Sequence, residues 1–252
     1  ASCTTPAADG MVVNTKTDKL WKLRRGIVEL YVSEHPLDCL TCSANGDCEL
    51  QDVASEVGLR DVRYDVEPSN TKQGVDESNP FFFFDPSKCI VCSRCVRACD
   101  DLQVTHALSI DGRGFASRII AGADESFMDS DCVSCGACVN ECPVGALEDK
   151  QLRDAGNPDK WVRTTCGFCG VGCQFDAGIK GNRLVTMKPA ADSPVNNGHS
   201  CVKGRFASAY VNHKERLDAP MVRESKDGEF REVSWDEAYD FMIDKFNSIK
   251  KE

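Results

Sequence analysis

Cysteine dominates the chemistry available to this chain, with 16 cysteines among 252 residues. Most stand in groups with only two or three residues between successive members, too close for most pairs to form unstrained disulfides. A disulfide scaffold is typical of short secreted chains, whereas grouped thiolates are typical of metal sites in a reducing compartment. No leader peptide and no apolar run long enough for a membrane span is visible. We therefore interpret the cysteines as metal ligands and expect a cytoplasmic protein.

The first group lies in the stretch EHPLDCLTCSANGDCEL, residues 34–50. It contains three cysteines, and a histidine stands four residues before the first of them. Every other group of cysteines can be completed to four ligands, so the count indicates that this histidine is the fourth ligand here. The predicted ligands of this group, centre 1, are His35, Cys39, Cys42 and Cys48.

An internal repeat provides the next two groups, because residues 89–99 and 132–142 both read C-x2-C-x2-C-x3-C. Apolar positions repeat with the cysteines, Ile90 with Val133 and Val96 with Val139, which indicates a duplicated unit. Pro143 completes the ending of the bacterial ferredoxin run, whose fourth cysteine binds the other cluster in two-cluster ferredoxins. The predicted ligands are therefore Cys89, Cys92, Cys95 and Cys142 for centre 2, and Cys99, Cys132, Cys135 and Cys138 for centre 3.

A last group, centre 4, consists of Cys166, Cys169, Cys173 and Cys201, which leaves Cys3 as the one unassigned cysteine. Three thiolates on one tight turn suit the separate irons of a cubane, and thiolate ligands favour iron–sulfur chemistry. We therefore expect four 4Fe-4S clusters. Zinc stays open as an alternative at centres 1 and 4, since each has a plausible set of four zinc ligands.

Short elements are predicted around these groups. Apolar spacing predicts helices over residues 17–36 and 48–59, and a capping box at Ser234 and Glu237 predicts a third near the end of the chain. Strands are predicted on both sides of Asp111-Gly112 and near Gly181-Asn182. The apolar core should be thin, so that metal binding contributes to folding. The formal net charge of −10 argues against nucleic-acid binding.

Two sets of motifs resemble known families. The arrangement H-x3-C-x2-C-x5-C followed by two ferredoxin motifs resembles the large iron–sulfur subunit of NADH:quinone oxidoreductase and the iron-only hydrogenases. The segments CGFCGVGC, SPVNNGHSCVKGRF, RLDAPMVR and VSWDEAYDFM are similar to the start of molybdopterin-dependent, NAD-linked-type formate dehydrogenase alpha (catalytic) subunits. The resemblance supports His35 as a ligand and implies that Lys203 couples centre 4 to a pterin. It also implies that Cys3 was the last ligand of a 2Fe-2S cluster.

The resemblance implies an α+β fold made of small iron–sulfur domains in series. Residues 1–14 would be the remnant end of a 2Fe-2S ferredoxin-like domain, and residues 15–70 a 4Fe-4S domain with one histidine and three cysteine ligands. Residues 80–150 would form a two-cluster ferredoxin-like domain. Residues 160–252 would form a 4Fe-4S domain at the start of a molybdopterin oxidoreductase region.

The function implied is an electron relay through four 4Fe-4S clusters in a formate dehydrogenase-type oxidoreductase. No catalytic residue is assigned in this chain, because formate/CO2 chemistry would occur in a downstream pterin domain. A Mo/W-bis-pterin dinucleotide, and a 2Fe-2S cluster using Cys3, would belong only to a longer parent chain. The expected partners are flavin/NAD(P)-reducing iron–sulfur subunits or ferredoxin, within a multi-subunit complex. The alternatives are a non-catalytic electron-transfer subunit of a hydrogenase or electron-bifurcating complex, and a complex I homologue.

Overall fold

The computed structural model describes residues 4–64 and 74–251, so Cys3 lies outside the described residues. The chain divides into two compact units, residues 1–208 and 209–252. Short helices and small antiparallel sheets alternate along both units, which confirms the predicted α+β class. No helix in the described ranges is long and apolar enough to cross a membrane.

Two helices flank the first group of cysteines. Helix α1 spans Asp18–Ser33 and is capped by Thr17, whose side chain accepts a hydrogen bond from the Leu20 N–H at 3.3 Å. Helix α2 spans Glu49–Glu56 and begins directly after Cys48. Both helices were predicted from apolar spacing.

The apolar stripe of α1 is largely exposed, which the sequence did not predict. Leu23 and Ile27 are 53% and 54% exposed, whereas Glu29 on the same helix is buried. Glu29 is buried because Arg63 holds it through its backbone N–H and its guanidinium, at 2.7 to 3.1 Å. The hydrogen bonds from Arg63 lower the pKa of the Glu29 carboxyl to about 2. This helix is therefore anchored by a polar contact rather than by its apolar stripe.

The duplicated segment folds around two small sheets. Strands β1 (Phe82–Phe84) and β4 (Leu147–Asp149) pair antiparallel, as do β2 (Leu108–Asp111) and β3 (Arg118–Ala121). The β2–β3 pair confirms the hairpin predicted around Asp111-Gly112. Each cysteine run contains a short helix. Helix α3 (Arg94–Arg97) includes Cys95 and continues into a π-helical turn at Ala98–Gln103, and α4 (Ala137–Glu141) includes Cys138.

Phenylalanines form the centre of the apolar core in this segment. Phe82 is fully buried, and its ring meets that of Phe127 edge-on at 5.1 Å between centroids. Phe206, from far along the chain, joins the same core and stacks on Phe81 at 5.0 Å. The buried cysteines Cys95, Cys99 and Cys138 lie in this cluster too, so apolar side chains keep water away from the thiols.

A three-stranded antiparallel sheet in the order β5-β6-β7 follows helix α5 (Lys150–Ala155). Its strands are β5 (Lys160–Thr165), β6 (Gln174–Lys180) and β7 (Arg183–Pro189), which confirms the two strands expected near Gly181-Asn182. Helix α6 (Val202–Phe206) begins directly after Cys201 and packs on β7.

The second compact unit contains the strands β8 (Met221–Val222) and β9 (Arg231–Glu232) and the helix α7 (Trp235–Ile249). Ser234 caps α7 by accepting a hydrogen bond from the Glu237 N–H at 3.1 Å, as predicted. The helical spacing of Ala238, Met242, Phe246 and Ile249 predicts that all four point inward, but of these four only Ala238 is buried. Val222 and Val233 pack against Ala238, and Phe241 is partly buried beside them.

Candidate metal centres

Centre 1 lies between the end of α1 and the start of α2. His35, Cys39, Cys42 and Cys48 line one cavity there, together with apolar side chains such as Leu37. Nδ1 of His35 is buried and has no hydrogen-bond partner, although burying such a nitrogen alone is costly. Burial lowers the pKa of His35 and so favours the neutral imidazole, which is the form that binds metals. These residues fit an iron–sulfur cluster with one histidine ligand.

The duplicated run brings its cysteines together in the crossed pairing. Cys99, from the first copy, lines a cavity with Cys132, Cys135 and Cys138 of the second. Cys142, from the second copy, lies close enough to Cys89, Cys92 and Cys95 for their charges to interact. The four residues predicted for each of centres 2 and 3 are therefore neighbours in the structure; that they bind iron stays a prediction.

The two cysteine loops repeat in conformation as well as in sequence. Val91 in the first copy and Ser134 in the second have positive φ angles, of 51° and 54°. The backbone N–H of each donates to the sulfur two residues before it, Cys89 Sγ and Cys132 Sγ, at 3.4 Å. Left-handed backbone is unfavourable for side chains such as valine. Its recurrence at matching positions indicates loops shaped to direct N–H groups at ligand sulfur.

Burial controls the protonation of these thiols. It raises the pKa of Cys89 to about 11 and that of Cys95 to about 12, with smaller contributions from neighbouring thiols. Cys138 is shifted upward for the same reason. The metal-free thiols are therefore protonated at neutral pH, and metal binding must displace their protons. Each displaced proton removes one positive charge from the site, and the bound metal adds its own positive charge.

Centre 4 is formed by the loop between β5 and β6 and by the start of α6. The Cys166 N–H donates to the Cys173 carbonyl at 2.8 Å, which closes the loop. Burial raises the pKa of the Cys173 thiol, and the nearby thiols of Cys166, Cys169 and Cys201 raise it further. Cys169 and Cys201 are exposed, so this centre is nearer to solvent than centres 2 and 3.

Within residues 4–64 and 74–251, no three histidine, cysteine, aspartate or glutamate side chains converge as ligands of a single ion would. Four ligands of one zinc ion each lie about 2.0 to 2.3 Å from it. A cluster does not require this convergence, because each thiolate binds a different iron. The donor sets are thus compatible with clusters in the geometry described.

Centres 1 and 2 are joined by a tight contact. A Cβ built on Gly145 would lie 2.8 Å from Glu148 Oε1 and 3.2 Å from Cys42 Sγ, so a larger residue here would force neighbouring side chains to shift. The Glu49 N–H donates to the Pro143 carbonyl at 3.0 Å, and Arg94 forms two hydrogen bonds to the Glu49 carboxylate at 2.6 and 2.7 Å. The residues that follow Cys48 and Cys142 are therefore in direct contact.

Centres 3 and 4 meet at helix α6. Gly136, in the loop of centre 3, has a φ of +79°, and a Cβ there would lie 2.8 Å from the Phe206 ring and 3.0 Å from Arg205 Cγ. Gln151 donates to the Phe206 carbonyl at 3.4 Å. Helix α6 carries Lys203 as well, which is exposed two residues after Cys201.

Sequence reasoning missed Arg205, although it lies in the same CVKGRF stretch as Lys203. Arg205 is 3% exposed, and one of its guanidinium nitrogens, Nη1, donates a hydrogen bond to the Met187 carbonyl. Charged residues are almost never so buried without partners. The adjacent Phe206 is the sequence feature that could have identified Arg205 as buried, because an aromatic residue next to the arginine predicts that this part of α6 faces the core.

Each predicted centre lies in a region that matches a known family. Residues 24–63 match the NADH-ubiquinone oxidoreductase-G iron-sulfur binding region, and residues 88–146 match a 4Fe-4S dicluster domain. Residues 159–213 match the molybdopterin oxidoreductase Fe4S4 domain, and residues 216–252 match molybdopterin oxidoreductase.

Two similar curated proteins are much longer than this chain. A protein named "Putative formate dehydrogenase" from Staphylococcus haemolyticus (strain JCSC1435) is 32% identical over 292 residues, covering 100% of this chain. One of the same name from Staphylococcus aureus (strain MSSA476) is 31% identical over 291 residues, covering 99% of this chain. The chain spans 29% of the length of each. Among solved structures, an NAD+-reducing NiFe-hydrogenase in the H2-reduced state matches with a TM-score of 0.50 and 34% identity, covering 60% of this chain and 63% of that one.

Proposed function

We propose that this chain is the iron–sulfur part of a formate dehydrogenase-like protein and that it relays electrons through four 4Fe-4S clusters. The observation that carries the proposal is the unbroken series of packed cysteine groups. Centres 1 and 2 meet through Gly145 and Cys42, and centres 3 and 4 meet through Gly136 and helix α6.

The link between centres 2 and 3 comes from the crossed pairing itself. Each copy of the run supplies ligands to both centres, so the two are held by the same short helices. The thiols of Cys95 and Cys138, one from each centre, are near enough for their charges to interact. Electron transfer between centres falls steeply with distance, and contact between neighbouring cysteine groups favours transfer along the series.

A 4Fe-4S cluster supplies one-electron chemistry when bound. The chain's own part is to hold ligands, exclude water and set the local charge. Phe82, Phe127 and Phe206 exclude water around centres 2 and 3. The N–H groups of Val91 and Ser134 point at ligand sulfur, where they favour the more negative, reduced state.

For the whole protein, we propose formate/CO2 chemistry in a downstream pterin domain with molybdenum or tungsten. Electrons would pass between that domain and flavin/NAD(P)-reducing iron–sulfur subunits or ferredoxin, in a cytoplasmic multi-subunit complex. The match of residues 159–252 to molybdopterin oxidoreductase regions and the names of the curated relatives support this.

A hydrogenase-type electron-transfer subunit is the second candidate, favoured by the resemblance to a chain of an NAD+-reducing NiFe-hydrogenase. The two candidates differ in the role of residues 216–252. A formate dehydrogenase needs this region to lead into a pterin domain, whereas a pure relay subunit does not. Detection of a bound pterin in the purified full-length protein favours the first candidate, and its absence with all clusters loaded favours the second.

We expect Lys203→Ala, in a full-length protein that carries the pterin domain, to slow electron exit from the active site while centre 4 stays loaded. The reason is that an exposed cation two residues from Cys201 lies where it can stabilise charge passing to or from the cluster. The measurement is the rate of cluster reduction by formate in stopped flow, with iron content as the control for loading. Lys22→Ala, an exposed lysine on α1, should change nothing. Equal rates in Lys203→Ala and wild type would remove the role.

A further inference from the structure

Arg205 is a buried cation that none of the family matches explains. The residue is 3% exposed, and it lies on helix α6, four residues after the centre 4 cysteine Cys201. Its backbone N–H donates to the Cys201 carbonyl at 3.1 Å, and Nη1 donates to the Met187 carbonyl. Its Nε is buried and has no hydrogen-bond partner. An unpartnered charged donor in the core is costly and calls for an explanation.

The stem of Arg205 packs on the ligand loop of centre 3. Its Cγ lies 3.0 Å from the position that a Cβ on Gly136 would take, and Gly136 stands between the predicted ligands Cys135 and Cys138. The guanidinium and the Cys138 thiol are close enough to interact through charge. A single arginine is thus attached to centre 4 through its backbone and lies against centre 3 through its side chain.

The buried carboxylate whose charge acts on Arg205 does not pair with it directly. Asp149 is 2% exposed and acts on Arg205 only through its charge. Its own oxygens accept hydrogen bonds from the Gln151 N–H at 2.8 Å and from Thr186 Oγ1 at 3.1 Å. Among the described residues Arg205 thus has no carboxylate paired to it directly, and its positive charge acts on the Cys138 thiol of centre 3 as well as on Asp149.

We propose that Arg205 is a positioning residue for electron transfer: its buried charge raises the reduction potential of the centre built on Cys99, Cys132, Cys135 and Cys138. Reduction adds one electron and one negative charge to this centre. A nearby cation stabilises the reduced form more than the oxidised form, and low-dielectric surroundings strengthen the effect. The proposal rests on the proposed function, because it requires a cluster at centre 3. It goes beyond that function by stating that one residue raises the reduction potential of this centre.

The test is a redox titration followed by electron paramagnetic resonance on the anaerobically reconstituted chain. The centre 3 signal is identified by its loss in Cys135→Ala. We expect Arg205→Gln to reduce the equilibrium constant for reduction of this centre about tenfold, which is a fall of about 59 mV for a one-electron couple. Arg205→Lys, which keeps the charge, should stay within about twofold of wild type, about 18 mV on the same scale.

Two further variants keep the test decisive. Arg205→Met removes the charge without introducing a buried polar side chain, so it reports the same downward shift if the glutamine variant does not fold. Arg163→Gln is the matched control, because Arg163 is an arginine of the same compact unit that pairs with Asp176 and Asp192 at the surface; it should leave centre 3 unchanged. An unchanged potential in Arg205→Gln or Arg205→Met, or an equal shift in Arg205→Lys, overturns the proposal.

The outcome also separates this inference from the proposed function. A wild-type chain without 4Fe-4S signals would overturn the relay itself. A wild-type chain with four signals and an Arg205 variant with unaltered potentials would leave the relay intact and remove only the role of Arg205.

Discussion

Replacing Cys99 by alanine should empty centre 3 and leave centre 2 loaded, although Cys99 directly follows the centre 2 cysteines in the sequence. The reason is geometric: Cys99 lines a cavity with Cys132, Cys135 and Cys138, whereas Cys142 lies with the first run. The iron content of the reconstituted chain should fall from about sixteen to about twelve atoms. The apolar surroundings offer no replacement thiolate at this position.

Double variants make the crossed pairing testable by counting. Cys99→Ala with Cys135→Ala removes two ligands of one centre, so iron should stay near twelve atoms. Cys99→Ala with Cys92→Ala removes one ligand from each of two centres, so iron should fall to about eight. The uncrossed alternative predicts the opposite pattern, with the second double variant losing no more iron than the single one. That result would contradict the proposed ligand sets.

Changing His35 should affect the stability and the potential of centre 1 in different ways. His35→Cys should retain a four-iron cluster and lower its potential, because a thiolate adds a negative charge where neutral imidazole adds none. His35→Ala should leave one iron without a protein ligand, and about four of sixteen irons should become labile to a chelator. The unpartnered, buried Nδ1 and the lowered pKa of His35 support its neutral, ligand-ready form.

The control is His213→Ala, because His213 is an exposed histidine of the second compact unit. Chelator-resistant iron and the four potentials are the measurements. Unaltered stability and potential of centre 1 in both His35 variants would show that this histidine is a bystander beside Pro36.

The ligand groups could be predicted from the sequence because cluster binding imposes local spacing. C-x2-C-x2-C places three thiolates on one turn, and repetition of the run at Cys132 makes chance improbable. The crossed exchange of Cys99 and Cys142 was predicted from the ferredoxin pattern rather than from spacing alone. Helices α1, α2 and α7 were also predictable, since apolar spacing and the Ser234 cap are local signals.

Burial was less predictable, because amphipathic spacing identifies a helix face without saying what covers it. The stripes of α1 and α7 looked like core, yet Ile27 and Phe246 are more than half exposed. Conversely, no sequence pattern singled out Arg205, which is buried against the loop of centre 3. The approach of Gly145 to Cys42 joins residues far apart in the sequence, so no local pattern encodes it.

The most direct test of the relay is the metal and sulfide content of residues 1–252 after anaerobic reconstitution. The proposed function predicts about sixteen irons and about sixteen acid-labile sulfides per chain, all reversibly reducible, with no formate-dependent reduction of viologen by this chain alone. Four zinc ions per chain, or formate turnover by these residues, would contradict it.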